Sequence, residues 1–449
     1  MSKRFALAAL LLSSFAAANI YQVPLGSSPF PTDYDFTTKW DDPACTVSRS
    51  TAFDVLDGPN NFSTSPSDPP QSVKISPMIN KTNWEQWEFD GLSPTGNSFI
   101  LMSFTRDYSL YFFGQGNLRI ELYMTLPDGK SVRELDNVKE SAVIDCPGYT
   151  AGLWNSSDRS YSFHVTKDLK HAQLGFDSWR AKGTYRLSAT TPAVHADGSV
   201  WDPEGHGNTA DAAAGGELEL EPTELSPGLY YSVPVAGGEV EVNLTTSSGR
   251  KLAFRGRGGS TRLWAKDGWL KVAQRWTAIR AWAGPYTFTY WEVVSRDAAH
   301  WGKTFVSGHL FHNDRLVVGT RLGNASATDD YVRLTANYGG EIHGRFADKN
   351  TGHTLEFGAP GRDRTWRFEM QHTMTQYEMG VGGGDGLSGF ANRVFGGEVG
   401  DGLQYEGRGQ TEQTSFPEYI PQWVAWLIFG VGFLGAGKDY ALGAVSYFF

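Results

Sequence analysis

GNLRIELYMTL, residues 116–126, alternates apolar and polar side chains from Leu118 to Met124. Strict alternation puts the apolar set on one face of a pleated strand, so the run reads as a half-buried strand of an antiparallel sheet. The same period recurs at 239–245 (EVEVNLT) and 329–338 (DDYVRLTANY). Turn chemistry separates such runs at Pro127-Asp128-Gly129, Ala196-Asp197-Gly198, Ser248-Gly249, Asn313-Asp314 and Lys349-Asn350-Thr351-Gly352. No long apolar helical stripe precedes the C-terminus. The expectation is an all-β chain of sandwiches or barrels, with 449 residues enough for two domains or one large all-β body.

Composition narrows the partners. A net charge of −10 argues against a nucleic-acid backbone, which needs clustered Lys and Arg. The densest basic run, Arg255 to Arg262 (RGRGGSTR), reads as a Gly-rich loop, with 256–260 near a domain join. Gly-rich stretches at 198–216 and 380–389 read as loops too, and none has the strand-then-helix setting of a phosphate cradle. His309 and His312 are three apart, on opposite faces of a strand, so a shared metal is not expected. The fifteen Trp supply flat walls for an apolar ligand as well as core.

The ends and the cysteines carry further expectations. Residues 1–18 have a basic start, an apolar stretch and Ala16-Ala17-Ala18, the pattern of a secretory signal. Asn61, Asn80, Asn155, Asn243 and Asn324 stand in glycosylation sequons, in keeping with an endomembrane or secreted location. Cys45 and Cys146 form either one bridge or two separate buried thiols. Residues 423–449 hold only Lys438 and Asp439 as charges, and read either as a membrane-contacting tail or as a closing element of a barrel.

Trp84-Glu85-Gln86-Trp87-Glu88-Phe89-Asp90, with GLSPTGNSFILMSFTRD after it, resembles the opening of the fungal Diels–Alderase family, distant relatives of bacterial carotenoid hydratases. Further landmarks follow in order: Thr105-Arg106-Asp107, where many relatives read T-R-N; Gly228 to Pro234; Trp264 and Trp269; Gly284-Pro285-Tyr286; Asp348 to Phe357; Trp366-Arg367-Phe368; and Tyr405 to Gly409. The resemblance covers roughly residues 74–416. It implies an N-terminal β-sandwich, a C-terminal lipocalin-like β-barrel and a ligand pocket. With the sandwich and barrel that the resemblance implies, the expected division is a signal (1–18), an irregular leader (19–72), a sandwich (73–262), a barrel (263–417) and a hydrophobic tail (418–449), the signal and the tail being departures from the family pattern.

The resemblance implies a cofactor-independent, metal-free pericyclase. It would close a ring in a linear polyene made by a polyketide synthase–peptide synthetase pathway, with a tetramic acid or pyrrolinone head. Such a reaction needs an aromatic pocket with few polar anchors, not a nucleophile. The candidates are Glu85 and Asp107 as polar anchors, and Trp87, Trp269, Trp276, Trp282 and Tyr286 as walls. Two competing readings are a hydratase or isomerase with an essential carboxylic acid, and a lipocalin-like carrier that accelerates nothing.

Overall fold

The computed structural model describes residue 30 and residues 34–108, 116–202, 220–382 and 384–418. The expected signal and the tail segment 423–449 lie outside them. Among the described residues no helix is long and apolar enough to cross a membrane.

The chain is all-β, built as an N-terminal sandwich followed by a lipocalin-like barrel. The alternation at 116–126 becomes the strand Leu118–Thr125. The first sheet runs, in spatial order, through Thr46–Thr51, Glu140–Asp145, Tyr149–Ser156, Arg159–Thr166, His171–Asp177, Ala181–Ala189, Leu229–Thr246, Lys251–Ala265, Trp84–Leu92, Phe99–Asp107, Leu118–Thr125 and Ser131–Asn137. Every neighbouring pair is antiparallel. The sheet folds over on itself. Trp154 donates its indole N–H across the layers to the Thr105 carbonyl (3.2 Å), and Arg106 reaches the Ser141 hydroxyl (3.0 Å). Trp87, Phe89, Phe104, Trp154 and Phe163 fill the space between the layers.

The second sheet runs Arg315–Thr320, Thr304–His312, Tyr286–Ser295, Ala273–Ala283, Tyr405–Ser415, Asp385–Glu398, Arg364–Gly382, Gly352–Ala359 and Tyr331–Asn337. Its two edges approach each other. Val332 N–H donates to the Leu322 carbonyl (2.9 Å), and the Thr320 hydroxyl donates to the Asp330 carbonyl (2.8 Å). Gly308 sits where this closure is tightest: a Cβ there would lie 2.7 Å from Val332. Inside, Phe288, Phe357, Trp366 and Phe368 pack, with Phe288 stacked on Phe368 at 4.5 Å. The outer face of this barrel lies against the first sheet.

Asn313 and Asp314 both take positive φ, 48° and 63°, and form the tight hairpin expected of that pair. Other segments depart from the sequence reading. The leader contains the strand Thr46–Thr51, whose mostly exposed edge pairs with Glu140–Asp145. Residues 256–260 are not a loop but the middle of Lys251–Ala265. Gly259 is needed there because a side chain would strike the Arg280 guanidinium and the Val235 carbonyl. Residues 380–389 mostly extend the hairpin between Arg364–Gly382 and Asp385–Glu398. Of the sequon asparagines, Asn61, Asn243 and Asn324 are exposed, and Asn80 and Asn155 half-buried.

Cys45 and Cys146 are joined in a disulfide that closes a span of 101 residues and ties the leader to the first sheet. Restricting the unfolded chain over such a loop contributes up to about 4–5 kcal/mol. Replacing both cysteines with Ser is expected to lower the thermal midpoint well below that of the oxidised wild type. A midpoint unmoved by the replacement, and by reductant, would contradict this.

Candidate active site between the two sheets

Period two decides which side chains of the opening motif meet the barrel. On Trp84–Leu92 the odd positions Trp87 and Phe89 enter the sandwich core. The even positions Gln86, Glu88 and Asp90 point the other way. On Phe99–Asp107 the same rule sends Ile100, Met102 and Phe104 inward and Phe99 and Leu101 toward the barrel. The barrel's outer face answers with Arg280, Trp291, Tyr377 and Glu412.

These groups line a cavity between the two sheets. Its aromatic walls are Phe99, Tyr231, Tyr290, Trp291 and Tyr377. Its polar groups are Glu88, Asp90, Arg280, Gln376, Gln410 and Glu412, with Thr261, Thr289 and Thr411. Aromatic walls with convergent polar groups are the kind of lining that ligand sites have.

Arg280 is the cavity's fixed cation. Its Nε donates to Asp90 Oδ2 (2.8 Å), one terminal nitrogen donates to the Val235 and Ala236 carbonyls (2.6 and 2.8 Å), and the other to the Thr261 hydroxyl (2.9 Å). Burial raises the Asp90 pKa, and Arg280 offsets part of that rise.

The two glutamates differ in their partners. Glu412 accepts from the Trp276 indole at Oε1 (2.7 Å) and the Tyr377 hydroxyl at Oε2 (2.6 Å). Glu88 accepts at Oε2 only, from Gln86 (3.1 Å) and Ser103 (3.4 Å). Burial, then the nearby charges of Glu412 and Asp90, push the Glu88 carboxyl up to about 8. Burial raises Glu412 as well, but its two strong donors favour the charged form, so the proton shared by the pair resides on Glu88. With Oε2 occupied, Oε1 of Glu88 is the place for that proton.

The sequence-expected residues scatter. Glu85 lies inside the sandwich, fully buried, as its odd position requires. It accepts from Arg262 (2.6 Å), Arg106 (3.5 Å) and the Lys74 backbone N–H (3.0 Å). Asp107 is buried at its strand end opposite Trp84, and is not among the cavity-lining residues. Trp87 is core, with the Arg262 guanidinium 3.7 Å above its ring. Trp269 stacks between Trp84 (4.4 Å) and Trp276 (4.5 Å). Trp276 therefore touches the cavity through its bond to Glu412. Trp282 packs with Leu92, Phe99 and Tyr377 beside the cavity. Tyr286 belongs to the barrel core, stacked on His312 at 4.9 Å. His309 is buried on the other face, bonded to Thr289 and to the His195 carbonyl.

The fold is an all-β body with an aromatic and polar cavity between a sandwich and a lipocalin-like barrel. The chain belongs to the Diels-Alderase-like family, whose profile matches residues 42–417. It is 59% identical over 426 residues to hexane cyclase pydB of an Acremonium species, covering 95% of this chain and 94% of that one. It is 42% identical over 430 residues to Diels-Alderase mycB of Thermothelomyces thermophilus, covering 96% and 95%. The crystal structure of CghA with Sch210972 shares the fold, with a TM-score of 0.71 at 24% identity over 84% of this chain and 100% of that one. The chain is thus an enzyme of the pericyclase or cyclase kind.

Glu85 is the charge that keeps two buried guanidinium groups compatible with the sandwich. Removing one partner of such a cluster costs about 3–5 kcal/mol. Glu85→Gln is therefore expected to lower the denaturation midpoint sharply while leaving the isomer composition of the product of the folded enzyme unchanged. Wild-type stability with an altered isomer ratio would return Glu85 to the site.

Proposed function

We propose that this enzyme catalyses a stereoselective intramolecular [4+2] cycloaddition of a linear polyene borne on a polyketide–amino acid hybrid with a tetramic acid or pyrrolinone head. The observation that carries the reading is the pairing of aromatic walls with the buried Glu88 carboxyl, which burial and the neighbouring Glu412 and Asp90 push toward its protonated form, in the cavity between the sheets. A [4+2] addition makes a six-membered carbon ring, which agrees with the name hexane cyclase borne by the Acremonium relative.

The geometry performs two tasks. Phe99, Tyr231, Trp291 and Tyr377 give the polyene flat surfaces to fold against. Holding diene and dienophile in contact removes orientational entropy from the barrier, and the chosen fold sets the stereochemistry. Glu88 O–H donates to the carbonyl conjugated with the dienophile. Negative charge grows on that oxygen as the bonds form, so the hydrogen bond strengthens toward the transition state. The fixed Arg280–Asp90 pair holds the walls in register without needing to move.

The pH dependence has a definite sign. A carboxyl whose folded pKa is raised contributes stability that is fully present below its ordinary range and lost as pH rises through about 8. The donor is lost over the same interval. The ring-closing rate of wild type on its linear precursor is expected to fall as pH climbs through about 8. Glu88→Gln keeps an N–H donor, so it should retain activity with a flat profile. Glu88→Leu should slow closure by about 10²-fold, the scale of one lost transition-state donor. A wild-type rate in Glu88→Leu at neutral pH would remove Glu88 from the mechanism. A single wild-type isomer formed without enzyme would remove the cycloaddition reading.

A further inference from the structure

The cavity wall holds three carboxyl groups; Asp90 is paired with Arg280, and Glu88 and Glu412 remain, although polarising one carbonyl needs only one. Their surroundings give them opposite roles. Glu412 has a donor on each oxygen, from Trp276 and Tyr377, which favours a carboxylate. Glu88 keeps Oε1 for a proton. Asp90 with Arg280, Tyr231, and Glu121 beyond Tyr123 are the other charged or titratable groups around the pair.

Two more polar side chains in the same wall are buried without partners. Gln376 is 1% exposed, and neither its amide nitrogen nor its oxygen is bonded. Trp291 is 5% exposed with an unbonded indole N–H. Buried polar groups left unpaired are costly. Their place in the cavity wall marks it as built to receive a ligand with polar atoms as well as a hydrocarbon chain.

We propose that this enzyme also relocates a proton in its substrate, with Glu412 as general base and Glu88 as general acid acting on an α,β-unsaturated ketone within the polyene. The proposal rests on the cycloaddition reading for the substrate class. The Glu412 carboxylate takes a γ C–H proton. The C–H electron pair becomes a new C=C bond, the enone π electrons shift toward the carbonyl, and the oxygen takes the Glu88 proton. The result is a neutral dienol, with Glu412 now the acid and Glu88 the carboxylate. Return of the Glu412 proton to the α or γ carbon, and of the enol proton to Glu88, restores both groups. Nothing is oxidised or reduced. A dienol is itself an electron-rich diene, so the same cavity that closes the ring can first set the position of the diene.

The test is solvent exchange. (E)-3-Nonen-2-one, a linear enone with a γ C–H, is incubated with the enzyme in D2O, and deuterium at C5 is read by NMR. Wild type is expected to exchange C5 at least tenfold faster than buffer. Glu412→Gln and Glu88→Gln should each lose at least tenfold. Tyr377→Phe removes one donor from Glu412 and so raises its pKa, which should move the low-pH limb of the exchange profile, where Glu412 ionises, to higher pH. Wild-type exchange no faster than buffer overturns the proposal, as does undiminished exchange in either Gln variant with a native circular dichroism spectrum. The native linear precursor, cyclised in D2O, separates the two readings. Ring closure with no carbon-bound deuterium discards the proton transfer and keeps the cycloaddition. C5 exchange in the probe, with no ring closure of the precursor, discards the cycloaddition and keeps the proton transfer.

Discussion

The structure depends on one side chain crossing from the barrel to the sandwich. Arg280 rises from the outer face of Ala273–Ala283 and is bonded at all three nitrogens, to Asp90, to the carbonyls of Val235 and Ala236, and to Thr261. A guanidinium this deeply buried is tolerated only when each nitrogen finds an acceptor and a carboxylate balances the charge. The geometry then propagates. Gly259 leaves room for the guanidinium, and Asp90 must be on the barrel-facing side of its strand. That parity turns Glu88 to the same side, where the gap between the sheets becomes the cavity. The ion pair therefore sets both the spacing of the sheets and the identity of the groups that look into the space between them.

Within that space the division of labour follows from hydrogen bonding. Two buried acidic side chains facing one cavity cannot both be ionised without cost. The Trp276 and Tyr377 donors settle the charge on Glu412 and leave the proton to Glu88. A neutral carboxyl next to aromatic walls is the kind of group that can polarise a carbonyl without repelling an anionic head.

Much of the fold was legible from alternation and turn chemistry. The strand at 118–125, the hairpin at Asn313-Asp314 and the all-β class follow from period two and φ preference, while the sandwich-then-barrel plan came from the family resemblance. The leader strand escaped notice because an exposed edge pairs through its backbone and needs no apolar pattern. The run at 255–262 looked like a loop because its glycines serve packing at the sheet interface, not turning. The site was harder to read. Glu85 drew attention as the carboxylate between two tryptophans, yet parity along the same motif puts Glu88 and Asp90, not Glu85, on the barrel side. That signal was present in the sequence. Arg280, a cation flanked by apolar residues on its strand, was another. Glu412, Tyr377 and Gln376 had none, because only the pairing of strands far apart in sequence within the second sheet brings them to the cavity. Tyr286 and Trp87 were ordinary core, which no local pattern separates from a pocket wall.

The central claim is that chemistry takes place between the two sheets and not inside the barrel. The most direct measurement is a crystal structure of the enzyme with its cyclised product. The account predicts electron density for the ring against Phe99 and Tyr377, with a carbonyl oxygen of the product within hydrogen-bond distance of Glu88. Product lodged within the barrel among Phe288, Phe357 and Phe368, with the space beside Glu88 unchanged, would contradict it.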